Sequence, residues 1–444
     1  MHPSEKPAKK RTLIQALKAL RQPKAAVMAG LGFSSGLPFL LTGNTLGYWL
    51  REGHVSLTAI GFASWVGMAY SLKFLWAPVI DKVDAPFLGA LGRRRSWMLA
   101  AQIFIALGLG AMALIGPTHG VWPLALAALV VAFASATQDI NVDAWRIEIA
   151  EDEDELGLLT SAYQLGYRSA LIVAESVILI LAQGLGWPGA YAIMAALVGI
   201  GLLSTWKAGE PKRPEGEISA RDGGLFSPSG LYDAVVGPFI AFFKEHGAFA
   251  LLMLGAITLY HLPDYLRGPI TNPFYKDLGL EKATVGLVRG TVGLWALIAG
   301  ISLGGISALR LGHGKSLIIG ALIQPVAIAL FATLALSGAP LWKFEAVMAF
   351  DNFAIGYSGV ALVSYMSSLT SFGYTATQYA LLSSALNWTG KTLKGFSGAA
   401  VDHLHQTRDL MHAYADFYLS AAALGLPAII LCLFLARRLK ALNA

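Results

Sequence analysis

Charged residues are scarce in this chain of 444 residues. Asp, Glu, Lys and Arg make up 14% of it, whereas soluble domains carry about 25%. Hydrophobic residues reach 55%, and the mean hydropathy is +0.58. This composition excludes an ordinary soluble domain and predicts an all-α membrane protein that crosses the bilayer several times. The net charge of +6 is therefore no sign of a nucleic-acid partner, because in a membrane protein the placement of basic residues is what matters.

Cysteine and catalytic motifs are nearly absent as well. Cys432 is the single cysteine, which excludes an internal disulfide and a cysteine-based metal cluster. The sequence has no G-x-S-x-G, no H-E-x-x-H and no phosphate-binding loop. We therefore expect neither an enzyme nor a bound cofactor or metal. The N-terminal residues 1–24 are basic, with leucines at helical spacing, and predict an amphipathic helix on the membrane surface rather than a cleaved signal.

Apolar segments of about 20 residues, the length that spans a bilayer, recur along the chain in two groups of six. Between the groups lies a stretch rich in Pro and Gly, which predicts a linker. The predicted segments are 25–50, 57–80, the two parts of 96–138 on either side of 116–120, 156–183, 187–206, 247–266, 284–309, 316–336, 341–370, 375–401 and 413–436. The predicted domains are a basic segment 1–24, a six-helix bundle 25–206, a linker 207–246 with an amphipathic helix, a second six-helix bundle 247–436 and a tail 437–444.

Basic residues set the expected orientation. With the N-terminus inside, the inner segments hold 22 of the 33 Lys and Arg residues, the membrane spans hold five and the outer loops hold six. The six assigned to outer loops are Arg51, Arg267, Lys276, Lys282, Lys343 and Arg408. The positive-inside rule therefore places both termini and the linker in the cytoplasm.

Two inner loops resemble each other. Gly92-Arg93-Arg94-Arg95 follows the second segment, and a basic, glycine-containing loop, 310–315, follows the eighth. The second loop resembles the conserved loop of the major facilitator superfamily. Paired loops at equivalent places in a six-plus-six chain indicate internal repeats, which are typical of transporters.

Four further motifs resemble the AmpG permeases of that superfamily. They are Ser35-Gly36-Leu37-Pro38, the stretch 73–78, Gln138-Asp139-Ile140 with 143–148, and the stretch 376–383. The resemblance implies a major facilitator superfamily fold and a carrier in the bacterial inner membrane. AmpG permeases import anhydromuropeptides during cell-wall recycling and so feed the signals that induce β-lactamase, a route to antibiotic resistance. Acetyl-CoA transporters share part of the pattern. The chain ends after the twelfth segment, so we expect no role for the C-terminal extension of some members.

The stretch from Gln138 to Arg168 carries the most unusual charges. Asp139, Asp143 and Arg146 fall on one face of an apolar helix. A charge at the centre of a bilayer helix costs at least about 2.5–3.5 kcal/mol, so such groups are kept for function or for pairing. Asp139 is the deeper acid, and we expect it to load the transported proton, while Asp143 stays ionised beside Arg146. The alternative is a fixed ion-pair lock between helices.

Further candidates line the fifth and eleventh segments. Gln164, Arg168 and Glu175 share one helix face, and Asn387, Lys391 and Lys394 share another. We expect Arg168 and Lys391 to face a common cavity and to bind carboxylates of the substrate. The alternative for the lysines is that they reach for the membrane surface. Glu175 is the second candidate for proton coupling.

Other polar and aromatic residues extend the site. Asp351 is a further proton candidate, paired alternatively with Lys391 or Lys394. Arg289 is expected to reach toward the membrane surface, and His261 with Asp264 to form an interfacial pair. Sugar rings stack on aromatic side chains. The remaining candidates for substrate contact are Lys73, Trp65, Asn44, Gln138, Tyr163 and Tyr167.

These observations predict a proton-coupled importer of anhydromuropeptides that sits among membrane lipids as a monomer. One alternative is a carrier of another large anion, such as a CoA ester. Another is a membrane sensor that binds muropeptide without moving it.

Overall fold

The computed structural model describes residues 22–77, 80, 85–86, 88–211, 243–244, 247, 249–368 and 388–442. Several sequence predictions lie outside these residues. They are the amphipathic helices of the N-terminal segment and of the linker, the motif 376–383 and Asn387.

The N-terminal half, residues 22–211, consists of helices in the part that the structure describes. The first predicted segment forms two of them, because the helix breaks at Thr42 and Gly43, one turn after Pro38. The helices are α1 (Pro23–Leu41), α2 (Asn44–Glu52), α3 (Leu57–Ala63), α4 (Ala69–Leu72), α5 (Arg93–Ile115), α6 (Val121–Ile149), α7 (Glu153–Ile172), α8 (Ile178–Leu197) and α9 (Gly199–Lys207). A π-helical turn, Val173–Val177, joins α7 to α8.

The C-terminal half, described over 249–368 and 388–442, is also helical there. Its helices are α10 (Phe249–Tyr260), α11 (Leu262–Asp277), α12 (Lys282–Val288), α13 (Leu294–Leu311), α14 (His313–Ser337), α15 (Leu341–Ser368), α16 (Ser397–His405), α17 (Leu410–Ala423) and α18 (Leu426–Leu442). A second π-helical turn, Arg289–Gly293, joins α12 to α13.

Within the described residues, eight helical segments are long and apolar enough to cross a membrane. One of them, Glu155–Lys207, has 53 residues, far more than one crossing needs. It turns at Gly186, whose φ of 72° and ψ of 167° leave the helical region. A positive φ of this kind suits glycine, which has no Cβ. The turn divides the segment near the predicted boundary at 183–187, and the full count of twelve crossings stays a prediction.

Close packing holds α1 against α7. A Cβ placed on Gly32 would lie 2.2 Å from the carbonyl oxygen of Tyr163, and one on Gly36 would lie 2.6 Å from that of Tyr167. In return, a Cβ on Gly166 would lie 1.9 Å from the carbonyl oxygen of Ala29. Small residues at helical spacing let backbones approach this closely. This contact of small residues fixes the position of α7 against α1.

One end of the N-terminal half carries a charge cluster, and we call this the proximal end. Lys24 pairs with Glu151 at 2.9 Å and with Glu155 at 3.0 Å. Arg94 pairs with Glu148 at 2.5 Å, and the backbone N–H of Arg94 donates to Glu210 at 2.9 Å. The predicted basic loop after the second segment thus ties α5, α6 and the end of α9 together.

The opposite end, here called the distal end, joins the two halves. Arg51 pairs with Asp277 at 2.8 Å, and Lys282 pairs with Glu52 at 3.0 Å. The backbone N–H and the hydroxyl of Thr58 both donate to the Oδ2 atom of Asp402, at 2.8 and 2.6 Å. Nearer the middle, the indole N–H of Trp65 donates to the carbonyl oxygen of Thr392 at 3.0 Å. These contacts close the distal end between the halves.

The structure corrects one boundary. The seventh predicted segment ends at 266, but α11 continues to Asp277. Its three prolines, Pro263, Pro269 and Pro273, lie inside the helix or at its start, and they masked the continuation in the sequence. Arg267 and Lys276 are therefore helical residues and not part of an outer loop. Arg267 is only 7% exposed, so the assignment of this arginine to a loop is wrong.

Candidate functional site

A cavity of about 440 Å³ lies between the two halves, and we call it the central cavity. Polar residues of both halves line it. They are Asn44, Arg168, Glu175 and Ser176 from the N-terminal half and His261, Asp264, Arg267, Thr271, Asn272, Tyr275, Arg289, Asp351 and Asn352 from the C-terminal half. The break between α1 and α2 places Asn44 in this wall. Discontinuous helices are a common way to expose polar groups in a transporter site.

In the C-terminal half, Arg267 is held by two carboxylates. Its Nε donates to Asp264 at 3.1 Å, and its Nη2 lies 3.0 Å from Asp351. His261 lies 3.3 Å from the second oxygen of Asp264, to which Gln324 also donates. All of these partners belong to the same half. The expected pairing of Asp351 with Lys391 or Lys394 is therefore wrong, because α11 brings Arg267 next to it.

A second arginine of the cavity pairs across the halves. The Nη1 atom of Arg289 lies 3.3 Å from Glu175, and its Nη2 donates to Asn272 at 2.8 Å. The amide of Asn272 donates to the backbone oxygen of Asn44 at 2.5 Å. The expectation that Arg289 reaches toward the membrane surface is wrong, since its side chain is 10% exposed and points inward.

Arg168 differs from Arg267 and Arg289 in its ion pairing. It lies two turns before Glu175 on the same side of the α7 segment, as the sequence predicts, and both residues line the cavity. Its side chain is exposed, and it forms no hydrogen bond or ion pair with any described residue. The cavity thus holds three arginines and three carboxylates, but two of the carboxylates share Arg267. The positive charge without a local partner is that of Arg168. Gln164, one turn earlier, is exposed but does not line the cavity.

A separate polar region lies on α6, toward the proximal end. Asp143 pairs with Arg146 at 3.2 Å, and Lys73 lies 3.9 Å from Asp143. Asp139, one turn deeper, pairs with neither cation within 4.0 Å, and its buried Oδ1 atom has no hydrogen-bond partner among the described residues. Among the described residues, Asp143 therefore has cationic partners and Asp139 has none within 4.0 Å, and which acid carries a proton stays a prediction.

Three neighbours of Asp139 have structural partners. Gln138 is fully buried, accepts from Ser34 at 3.1 Å and donates to Ser35 at 3.0 Å, so in this conformation it has no surface for a substrate. The rings of Tyr163 and Tyr167 lie 5.9 Å apart, and Arg146 lies over Tyr163 at 5.3 Å. Tyr163 is nearly buried, and Tyr167 is more accessible.

Trp65 on the second segment and Lys391 on the eleventh each contact the other segment, and neither lines the central cavity. The Nζ atom of Lys391 donates to the hydroxyl of Ser71 at 2.6 Å. Trp65 bonds the backbone of Thr392 and packs against Phe396, with ring centroids 5.6 Å apart. The structure thus places Lys391 and Trp65 at the interface of the halves. It does not bring Lys391 to Arg168.

Sequence reasoning did not assign Arg267, Arg289, Asp264, His261 or Asn272 to the substrate site. The signal that points to four of these five residues is polar density in and just before α11, where His, Asp, Arg, Thr and Asn occur among three prolines inside a membrane protein. Arg289 lies outside it, in a π-helical turn. Intramembrane ionisable groups are candidate functional groups by default. The misplaced end of the seventh segment hid that density.

Comparison with known proteins agrees with this architecture. The family model described as Major Facilitator Superfamily matches residues 24–393. The anhydromuropeptide permease of Escherichia coli (strain K12) is 36% identical over 94% of this chain and 81% of its own length. A putative transporter AmpG 4 of Rickettsia conorii is 30% identical over 91% of this chain and 94% of its own. The chain belongs to the AmpG permease family of the major facilitator superfamily.

Solved structures show the same fold for this permease-family member. The nucleoside transporter NupG aligns with a TM-score of 0.65 at 16% identity, covering 92% of this chain and 97% of that one. A D-xylose-proton symporter aligns with a TM-score of 0.63 at 13% identity, covering 93% and 97%. The major facilitator superfamily fold predicted from the sequence is therefore confirmed, and the domain bounds stay a prediction. The chain is a multi-pass membrane transporter.

Proposed function

We propose that this transporter imports anhydromuropeptides across the bacterial inner membrane together with protons. The substrate assignment rests on the 36% identity to the E. coli anhydromuropeptide permease over 94% of the chain. The structural observation that supports it is the central cavity, which Arg168 lines without forming an ion pair with any described residue. A guanidinium binds a carboxylate through two parallel hydrogen bonds, and such peptides are rich in carboxylates.

Asp139 is the proposed proton carrier. Its carboxylate is held within the membrane part of the fold with one oxygen buried and unpartnered. Among the described residues no cation lies within 4.0 Å of Asp139, so this acid can gain or lose a proton without breaking an ion pair. Asp143, Glu175 and Asp351 each have a cationic partner within 4.0 Å and are second choices.

The placement of charge supports an orientation of the protein in the membrane and a conformational state. We propose that the proximal end, with both termini, faces the cytoplasm, in line with the positive-inside rule. The ion pairs that close the distal end then lie on the periplasmic side, and the structure is an inward-facing form. Imported muropeptides would supply the signals for β-lactamase induction.

Uptake into proteoliposomes tests this function. Purified protein is reconstituted, a pH gradient is imposed, and labelled anhydromuropeptides of different peptide length are compared with acetyl-CoA. Saturable accumulation of muropeptide that collapses with the gradient is the expected result. Accumulation of acetyl-CoA alone would favour a CoA-ester carrier, and saturable binding without accumulation would favour a sensor.

A further inference from the structure

Glu175 and Arg289 each lie in a π-helical turn, one in each half of the molecule. Glu175 is in the π-helical turn Val173–Val177, and Arg289 is in the π-helical turn Arg289–Gly293. The two segments touch, since a Cβ on Gly290 would lie 3.4 Å from the Cβ atom of Ser176. Single π-helical turns are rare and are found frequently at functional sites. Each turn displaces one charged side chain toward the partner half.

Among the described residues, the ion pair of Arg289 is formed across this interface. Among the described residues, Glu175 is the one carboxylate within 4.0 Å of its guanidinium. The remaining neighbours are the neutral Asn272 at 2.8 Å and the ring of Tyr275 at 5.3 Å. The Nη1 atom is buried and lacks a well-formed hydrogen bond. Arg267, by contrast, holds two carboxylates of its own half and keeps them however the halves move.

The two members of the pair differ in access. The Arg289 side chain is 10% exposed, whereas that of Glu175 is 36% exposed and borders the cavity. Glu175 can therefore turn into the cavity at low cost, but Arg289 cannot be left without an anion, because an unpaired buried charge is strongly unfavourable. Whatever draws Glu175 away must supply another carboxylate to Arg289.

We propose that Arg289 is a carboxylate-binding residue of the transport site and that Glu175 occupies it as a stand-in until a substrate carboxylate takes its place. The inference deepens the proposed function and rests on it. With Arg168 on the opposite wall, the site selects ligands that carry two separated carboxylates, one for each arginine. The displaced Glu175 then faces Arg168 and the cavity.

The test measures binding of a labelled anhydromuropeptide with a peptide chain to the full-length protein in nanodiscs. The same compound with its carboxyls amidated serves as the second ligand. Glu175→Gln is expected to tighten binding of the free acid about tenfold, which corresponds to about 1.4 kcal/mol, because the competing carboxylate is gone. Arg289→Gln is expected to weaken it at least about tenfold and to leave the amidated ligand unchanged.

Two further variants separate recognition from folding. Combining Glu175→Gln with Arg289→Gln should bind no more tightly than Arg289→Gln alone, because the gain needs the arginine. Arg289→Lys keeps the charge but not the planar fork, and it should fall between wild type and Arg289→Gln. Arg310→Gln, an exposed arginine at the end of α13, is the matched control and should bind as wild type.

Three outcomes would contradict these expectations, and each would exclude a different part of the proposal. If Glu175→Gln binds the free acid no more tightly than wild type, Glu175 is not a stand-in and the inference fails. If Arg289→Gln weakens both ligands alike, the arginine holds the fold and not the carboxylate. If wild type binds neither ligand while remaining folded, the proposed function itself is wrong, and this inference falls with it.

Discussion

The three arginines of the cavity differ in which residues neutralise their charge. Arg267 is neutralised inside the C-terminal half, Arg289 across the halves and Arg168 by no described residue. The first arrangement is suited to holding α11 against α15. The other two leave cations whose partner changes with conformation or with ligand. Charge placement therefore separates Arg267, which is neutralised within one half, from Arg168 and Arg289, which we propose as recognition residues.

The first prediction concerns Arg168. Arg168→Gln should weaken muropeptide binding about tenfold or more, because the unpaired guanidinium is lost while no internal ion pair is broken. Lys391→Gln, which removes a hydrogen bond to Ser71, should weaken binding less. Equilibrium binding at matched expression measures both. Wild-type affinity in Arg168→Gln would remove this residue from the site.

The second prediction concerns coupling at Asp139. Asp139→Asn should abolish accumulation driven by a pH gradient and retain substrate binding and counterflow exchange, because the side chain keeps its shape but no longer carries a proton. Asp143→Asn is the matched variant one turn away and should instead loosen Arg146. Uptake that still follows the imposed gradient in Asp139→Asn would shift attention to Glu175 or Asp351.

Among the elements, the contact of α1 with α7 decides where the polar face of α7 points. Glycines at 32, 36 and 166 allow backbone carbonyls to sit where a Cβ would stand. The polar residues of α7 are thereby turned toward the cavity on one side, while Tyr163 is packed on the other. Helix packing thus sets the function of Arg168 and Glu175.

The third prediction tests this contact. Gly166→Ala should destabilise the protein by about 1–3 kcal/mol, because the new methyl group overlaps the backbone of α1. Gly157→Ala lies on the same helix with no atom within 4 Å and should stabilise it by about 0.5–1 kcal/mol. Thermal unfolding in detergent measures both. Equal transition temperatures for the two variants would contradict this prediction, because they would show that α1 and α7 can move apart to accept the methyl group.

At the scale of the whole molecule, the halves are joined at the distal end by ion pairs and hydrogen bonds between side chains. The two ion pairs there are partly buried, with side chains 13–24% exposed, and together with the hydrogen bonds they form a closure that we expect to open and re-form. Their number and position identify the contacts that must break when the cavity opens to the other side.

The fourth prediction concerns that closure. In a Cys432→Ala background, Thr58→Cys with Asp402→Cys should be joined by a short, reducible bifunctional thiol reagent, since the native side chains hydrogen-bond at 2.6 Å. Joining them should stop transport, and reduction should restore it, because the distal end can no longer open.

A control pair lies within one half. Lys24→Cys with Glu151→Cys, whose native side chains are 2.9 Å apart, should be joined without loss of transport. Full transport in the joined Thr58–Asp402 protein would show that the halves need not separate at this place.

The sequence by itself determined the membrane class, the two-bundle fold and the contrast between Asp139 and Asp143. Runs of apolar residues, the spacing of charges along one helix and the excess of basic residues on one side are local properties, and they follow from residue order alone. The positions of Arg168 and Glu175 on one face were predictable for the same reason, since a helix fixes which residues are neighbours.

Tertiary structure alone decided which charged residues form ion pairs. Arg267 with Asp351 and Arg289 with Glu175 are far apart in the chain, and no periodicity links them. Each ion pair exists because helix packing brings two side chains within 4 Å, and the energy of a charge depends steeply on such distances and on burial. The sequence therefore predicted most of the charges in the membrane part of the protein, with Arg267 the exception, while the packing of the two halves determined which of the described charges form ion pairs.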